Sequence, residues 1–138
     1  MRIAIITAYG MSTGGTEKFL QTVAKCLPKD KYQVDYYYID NDASRCSDIK
    51  KQQLIDAGVS LIPYQVERYD IRYDYMRQVN SNFFSVYHTK YDLIFSGVCG
   101  LAEEPFVYIH DTPIVQSIHY VSGVDNQYNI ARVLHISE

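Results

Sequence analysis

Tryptophan is absent from this chain, cysteine is scarce, and neither sign of charge is in large excess. Cys26, Cys46 and Cys99 are odd in number, far apart, and fall in no CxxC or Cys/His spacing. That argues against a disulfide framework and against a zinc site, and a reducing cytosol fits best. Thirteen basic and sixteen acidic side chains leave a net charge of −3. Without a basic surplus to neutralise a polyphosphate backbone, nucleic acid is not an expected partner. Long apolar runs are missing too. Ile3 to Ile6 follows a lone Arg2 and soon reaches Gly10, too short for a signal-peptide core or a membrane span. There is no nucleophile elbow of the GxSxG type, no HExxH, no internal repeat and no linker-like tract. Tyrosine is the one excess, 14 residues with a cluster at Tyr36, Tyr37 and Tyr38. The cluster reads as compositional habit without functional content.

The chain is 138 residues long and 47% hydrophobic, enough for the core of one compact domain. Ile3 to Thr7 reads as a strand buried on both faces, hence central in a parallel sheet. A turn-rich stretch from Ala8 to Gly15 leads to a helix whose apolar stripe is Phe19, Leu20, Val23, Ala24 and Leu27, stopped by Pro28. Tyr32 to Ile39 is a second strand, with an exit turn at Asp40, Asn41 and Asp42. Ser47 is a good N-cap for a second helix reaching Ala57, with Gly58 as its stop. Val59 to Ile62 reads as a short strand ended by Pro63. A helix is expected between Ile71 and Tyr87, where Tyr75, Met76, Val79, Phe83, Val86 and Tyr87 share one face. Tyr91 to Phe95 is the fourth strand and Ile114 to Ile118 the fifth, with a short helix between them across Leu101 to His110. Arg132 to Ile136 is the sixth. Strands alternating with helices predict an α/β fold, a Rossmann-like doubly wound parallel sheet. The chain ends at Ser137 and Glu138 straight after a strand, so a truncated domain is expected.

Such sheets bind ligands beyond the carboxyl ends of their strands, where strand order reverses, here between the first and fourth strands. Three loops should meet there: Ala8 to Gly15, Ser96 to Gly100, and His119 to Gly123. Gly14 and Gly15 let backbone approach a ligand closely and leave the free N–H groups of a helix start facing it; a tight turn needing positive φ is the alternative. Glu17, in the first helical turn, reads as a capping acid before a catalytic one. His119 ends the fifth strand, where such folds place functional groups. His110 with Asp111 reads as a turn pair, His88 as a helix-end residue and His135 as a strand residue; none has metal-ligand spacing.

Two phosphate loops can be tested against the glycines. A P-loop needs GxxxxGK[ST], and although Gly10 and Gly15 have the separation, Thr16 and Glu17 replace the residues that meet phosphate and magnesium. A dinucleotide fingerprint needs GxGxxG, whereas the glycines here are Gly10, Gly14 and Gly15. Asp40 does stand where a ribose-binding acid would, which keeps an NAD-type domain of an oxidoreductase as an alternative. A flavodoxin-like interaction domain would want acids after the first strand, where the chain has Thr7, Ala8 and Tyr9.

Ile3 to Thr7 followed by Gly14, Gly15, Thr16 and Glu17, then a helix ending Val23 to Leu27, resembles the opening of family-four GT-B glycosyltransferases. Leu54 to Val59, Tyr91 to Ile94, and Pro113 to Val115 leading to His119 are similar to later landmarks of that family, in the same order along nearly the whole chain. The resemblance implies the N-terminal, acceptor-side half of a two-domain enzyme that transfers a sugar, with retention, from a nucleotide diphosphate donor to a hydroxyl. Polysaccharide or glycoconjugate synthesis would be its setting. It implies a glycan or lipid-linked acceptor, no metal or other cofactor, and a cytoplasmic location with peripheral contact to a membrane surface. His119 would lie beside the transferred sugar, with Gly14, Gly15, Thr16, Ser96, Gly97 and Tyr120 contacting donor or acceptor. Most donor contacts would come from a C-terminal domain absent from this chain, so the chain alone is expected to be inactive. The segment with Glu103, Glu104 and Pro105 departs from the family pattern and leaves the acceptor unassigned.

Overall fold

A computed structural model describes residues 1–7, 10–12, 14–40, 46–64, 90–97, 111–118 and 130–135. Six strands form one sheet, β1 (Arg2–Ile6), β2 (Gln33–Ile39), β3 (Ser60–Tyr64), β4 (Leu93–Ser96), β5 (Ile114–Ile118) and β6 (Ile130–His135). Two described helices, α1 (Gly15–Cys26) and α2 (Asp48–Asp56), connect β1 to β2 and β2 to β3. The strand order is β3-β2-β1-β4-β5-β6 and every pairing is parallel. The fold is therefore α/β and Rossmann-like, with strand order reversing between β1 and β4.

β1 is central because its side chains are apolar on both faces and all of Ala4, Ile5 and Ile6 are fully buried. Alternation sends Ile3 and Ile5 to the face carrying α1 and α2, where they pack with Val34, Tyr36 and Tyr38 of β2, Leu20 and Ala24 of α1, and Leu54 of α2. Phe19 of α1 meets Phe95 of β4 with ring centroids 6.3 Å apart on the same face. Ala4 and Ile6 point the other way, as do Asp35 and Tyr37 of the neighbouring strand.

Helix termination follows local chemistry. Ser47 caps α2 by accepting from the Lys50 backbone N–H at 3.4 Å, and Gly58 ends it at φ 81°, a conformation that favours glycine. At the end of α1, the Lys29 ammonium donates to the carbonyls of Ala24 (2.7 Å) and Leu27, placing a cation on the negative end of the helix dipole. Pro63, expected to end the third strand, lies inside β3 and pairs with Tyr38. β3 is an edge strand, where a residue without an N–H does not break a ladder on its outer side. The fourth strand starts at Leu93 rather than Tyr91, and the sixth spans Ile130–His135, two residues earlier at its start than expected. The helix expected between Ile71 and Tyr87 and the segment from Leu101 to His110 lie outside the described residues.

A polar network closes the amino-terminal end of the sheet on the face away from α1. The Tyr91 hydroxyl donates to Asp35 Oδ2 at 2.7 Å and shares a hydrogen bond with the Tyr37 hydroxyl. Arg2 pairs with the same carboxylate at 3.3 Å and lies over the Tyr91 ring, 5.4 Å from its centroid. The Arg2 backbone N–H donates to Asp92 Oδ2 at 2.6 Å. Asp35 is thus a buried acid made tolerable by a cation and a hydroxyl donor. Tyr37 belongs to this network, so the tyrosine cluster is structural and not mere composition.

Burial pushes the hydroxyls of Tyr37 and Tyr91 above the ordinary tyrosine value, and the shared hydrogen bonds with Tyr37 and Asp35 push Tyr91 further. A raised tyrosine favours the neutral form in the folded state. Its contribution is complete below the unfolded value of about 10 and is lost as pH rises beyond it. Spectrophotometric titration should therefore show these two tyrosines ionising only with an alkaline unfolding transition. Tyr91→Phe should cost about 1–3 kcal/mol in urea denaturation by depriving Asp35 of its donor.

Candidate functional site

The parallel sheet brings the ends of β1, β4 and β5 to one edge, and the amino terminus of α1 to the same edge. After Ile6, Thr7 is buried and donates its backbone N–H to Tyr37 O at 3.2 Å. The β1–α1 loop is fastened on two sides. Met11 is fully buried in the core, and its carbonyl accepts from Ser47 N at 2.9 Å, tying the loop to the start of α2. Gln21 of α1 donates from Nε2 to Ser12 O at 3.1 Å and to the Met11 sulfur at 3.6 Å.

Gly14 is the N-cap of α1, with φ −60° and ψ 161°, and supplies no side-chain cap. Its carbonyl accepts the first helical hydrogen bond from Lys18 N at 2.8 Å. Neither Gly14 nor Gly15 has positive φ, so a tight left-handed turn is not why glycine stands at either position. Gly14 instead makes room for Glu17: a Cβ there would lie 2.3 Å from Glu17 Oε2. The Glu17 carboxylate folds back over the helix start and accepts from Ser12 Oγ at 2.5 Å. Among the described residues Gly15 has no such neighbour, and nothing lies within 4 Å of where its Cβ would stand. Among the described residues nothing packed against Gly15 explains the loss of helix propensity that glycine brings. Thr16 is half-buried beside it.

Gly97 lies on the same edge, with its N–H on Ile6 O at 2.9 Å. A Cβ at Gly97 would meet Leu20 Cδ1 at 2.3 Å, so glycine lets the β4 exit pass against α1. Ser96 is buried, pairs in register with Ile6 and Gln116, and accepts from Ser117 Oγ at its carbonyl (3.4 Å). Both residues are buried at this edge. The structure brings Gly14, Gly15, Thr16, Ser96 and Gly97 to one edge. His119 and Tyr120 follow directly after β5 and lie outside the described residues, as do His88 and His110. His135 is in β6, paired with Ile118.

Asp40, at the end of β2, sits 3.8 Å from Lys51 Nζ, and Lys51 lies over the Tyr38 ring. Sequence reasoning missed Ser12 and Gln21, which fasten the loop. Tyr36, on the α1 face of β2, is fully buried with a hydroxyl that has no hydrogen-bond partner among the described residues. Burial, followed by the nearby Glu17 charge, pushes that hydroxyl well above the ordinary tyrosine range. Gln116 and Ser117, polar residues inside an apolar strand, are buried. No group of metal-ligating side chains occurs among the described residues, and no described helix is long and apolar enough to cross a membrane.

The two crevice glycines have opposite expected costs. Gly15→Ala should stabilise the chain by about 0.5–1 kcal/mol, since the helical backbone accepts Ala and its methyl meets nothing. Gly97→Ala should destabilise it by about 1–3 kcal/mol through collision with buried Leu20. Thermal denaturation of both variants checks the pair.

No family model matches the chain, and no curated protein matches it. Three solved chains do. One is a mutant short-chain dehydrogenase/reductase of Serratia marcescens, with 17% identity, a TM-score of 0.39, and coverage of 84% of this chain and 54% of that one. A second is a short-chain dehydrogenase/reductase from the same organism, with 18% identity, a TM-score of 0.40 and the same coverage. This chain spans about half the length of those structures.

Proposed function

We propose that this chain is the acceptor-side, Rossmann-like half of a nucleotide-sugar-dependent glycosyltransferase, working in a cleft shared with a second domain. The observation that carries the reading is the Glu17 carboxylate folded over the α1 N-cap. A dinucleotide-binding domain rests a pyrophosphate on this helix start, where free N–H groups and the dipole favour an anion. Here a fixed carboxylate occupies that ground. A carboxylate accepts hydrogen bonds through two oxygens and suits the hydroxyls of a neutral sugar acceptor. Sugar transfer also explains why Gly15 leaves its backbone open to approach at the same edge. In this reading the donor diphosphate is held chiefly by the second domain, no metal takes part, and His119 stands beside the reacting sugar.

The NAD-type alternative retains one supporting observation, Asp40 at the end of β2. Calorimetry on the chain separates the two. The glycosyltransferase reading expects no micromolar binding of NAD⁺ or NADP⁺, and only weak binding of nucleotide sugars. Micromolar affinity for NAD⁺ would turn the assignment to an oxidoreductase domain. In the full-length enzyme, His119→Ala should lower kcat more than it weakens donor binding. The loss is about 10- to 100-fold for a positioning role and on the order of 100- to 10,000-fold for charge stabilisation or proton transfer. Unchanged turnover would remove His119 from the site.

A further inference from the structure

We propose that Met11 and Ser12 form a mechanical link between the starts of α1 and α2, so that a contact made at one helix start is felt at the other. The use of such a link, carrying a contact at α2 to the glycines of the acceptor edge, rests on the glycosyltransferase reading; the link itself does not.

The two residues are held from both helices. On the α2 side, Met11 O accepts from the backbone N–H of Ser47, the helix cap, at 2.9 Å. On the α1 side, Ser12 is gripped from two successive turns: its carbonyl accepts from Gln21 Nε2 at 3.1 Å, and its hydroxyl donates to Glu17. Gln21 is buried with Leu20 and Ala24, on the helix face where an apolar side chain is the ordinary choice. An amide has no place in that stripe unless it is hydrogen-bonded, because burying it bare costs free energy. Both of its hydrogen bonds among the described residues go to the link, one to Ser12 O and a weaker one to the Met11 sulfur at 3.6 Å. The link therefore accounts for a polar residue that the packing of α1 does not call for.

The middle of the link is suited to pass on a displacement. Met11 is fully buried in the cluster that also contains Leu20 and Ala24 of α1 and Leu54 of α2. Its unbranched side chain can readjust within the core as its backbone shifts, where a β-branched residue would resist. Gly14, the N-cap of α1, stands two residues beyond Ser12, so a shift of Ser12 reaches that helix start along the chain itself. Coupling of this kind is reciprocal. Loosening the link from α1 must show at α2, and the reverse.

The test is amide hydrogen exchange followed by NMR on the full chain and on variants at each end. Gln21→Met keeps the length of the buried side chain and removes its donor. It should speed exchange of the Ser47 amide, at the other helix, about 3- to 10-fold. Ser47→Pro removes the N–H that holds Met11, and the φ of −74° at residue 47 is one that proline adopts. Ser47→Ala, which loses only the hydroxyl cap, is its control. Relative to that control, Ser47→Pro should speed exchange of the Lys18 amide, which bonds to Gly14 O, by a similar factor. The β1 amides should keep their rates in every variant. Unchanged Ser47 exchange in Gln21→Met, equal Lys18 exchange in the two Ser47 variants, or an acceleration shared equally by the β1 amides overturns the link. If Ser47→Pro does not fold, the Gln21→Met arm decides alone. None of these outcomes bears on sugar transfer, which the full-length assay of His119→Ala addresses separately.

Discussion

Burial of β1 on both faces is the constraint on which the rest of this structure depends. A strand with Ala4, Ile5 and Ile6 wholly out of water must be flanked on both edges and covered on both sides. β2 and β4 supply the edges, and the reversal of strand order falls beside the same strand. The carboxyl end of β1 is therefore a place where chain must leave the core between two diverging neighbours. Main-chain groups freed there need partners. Thr7 N finds Tyr37 O, and Gly97 N finds Ile6 O, so the strand end is closed by main-chain hydrogen bonds.

The described residues of the loop that follows are held by specific contacts. Met11 fills the core as an unbranched, adaptable side chain, and Gln21 and Ser47 hold the backbone on either side of it. Those contacts fix where α1 begins relative to the sheet. The charge at the start of α1 is consequently positioned by the core itself. The far end of the sheet uses a different device, a buried acid shared between Tyr91 and Arg2, so polar groups brace β1 at both of its ends.

Much of this was legible in the residues, and the failures have physical causes. The fifth strand, Ile114–Ile118, could be read to the residue because its apolar run is bounded by Pro113. Ser47 and Gly58 announced the ends of α2 because capping is local chemistry. Pro63 misled because its cost depends on edge position, which topology decides and local sequence does not show. Tyr91 misled for a related reason. Its partners Asp35 and Tyr37 lie more than fifty residues away, and only the register of the sheet brings them together. Strand-end logic led to the expectation that the glycines and the β4 exit share one edge, which the sheet order gives them, while Thr16 was named from the resemblance alone. The burial of Ser96 and Gly97 was not legible, because a small residue at a strand end looks the same in sequence whether it is exposed or buried.

The start of α1 shows how magnitudes decide between ligand classes on one fold. An unoccupied helix amino terminus carries the equivalent of about half a positive charge, which is what a Rossmann domain offers to a pyrophosphate. Glu17 adds a full negative charge within the first turn, so the local balance is about half a charge negative. An incoming diphosphate would lose the attraction of the helix and meet repulsion instead. A neutral hydroxyl has no such penalty, because it can donate to the carboxylate and accept from a backbone N–H through the same oxygen. Open sheets of this strand order bind their ligands at this edge. In the proposed function, the charge on Glu17 is what favours a hydroxyl over a phosphate at this helix start.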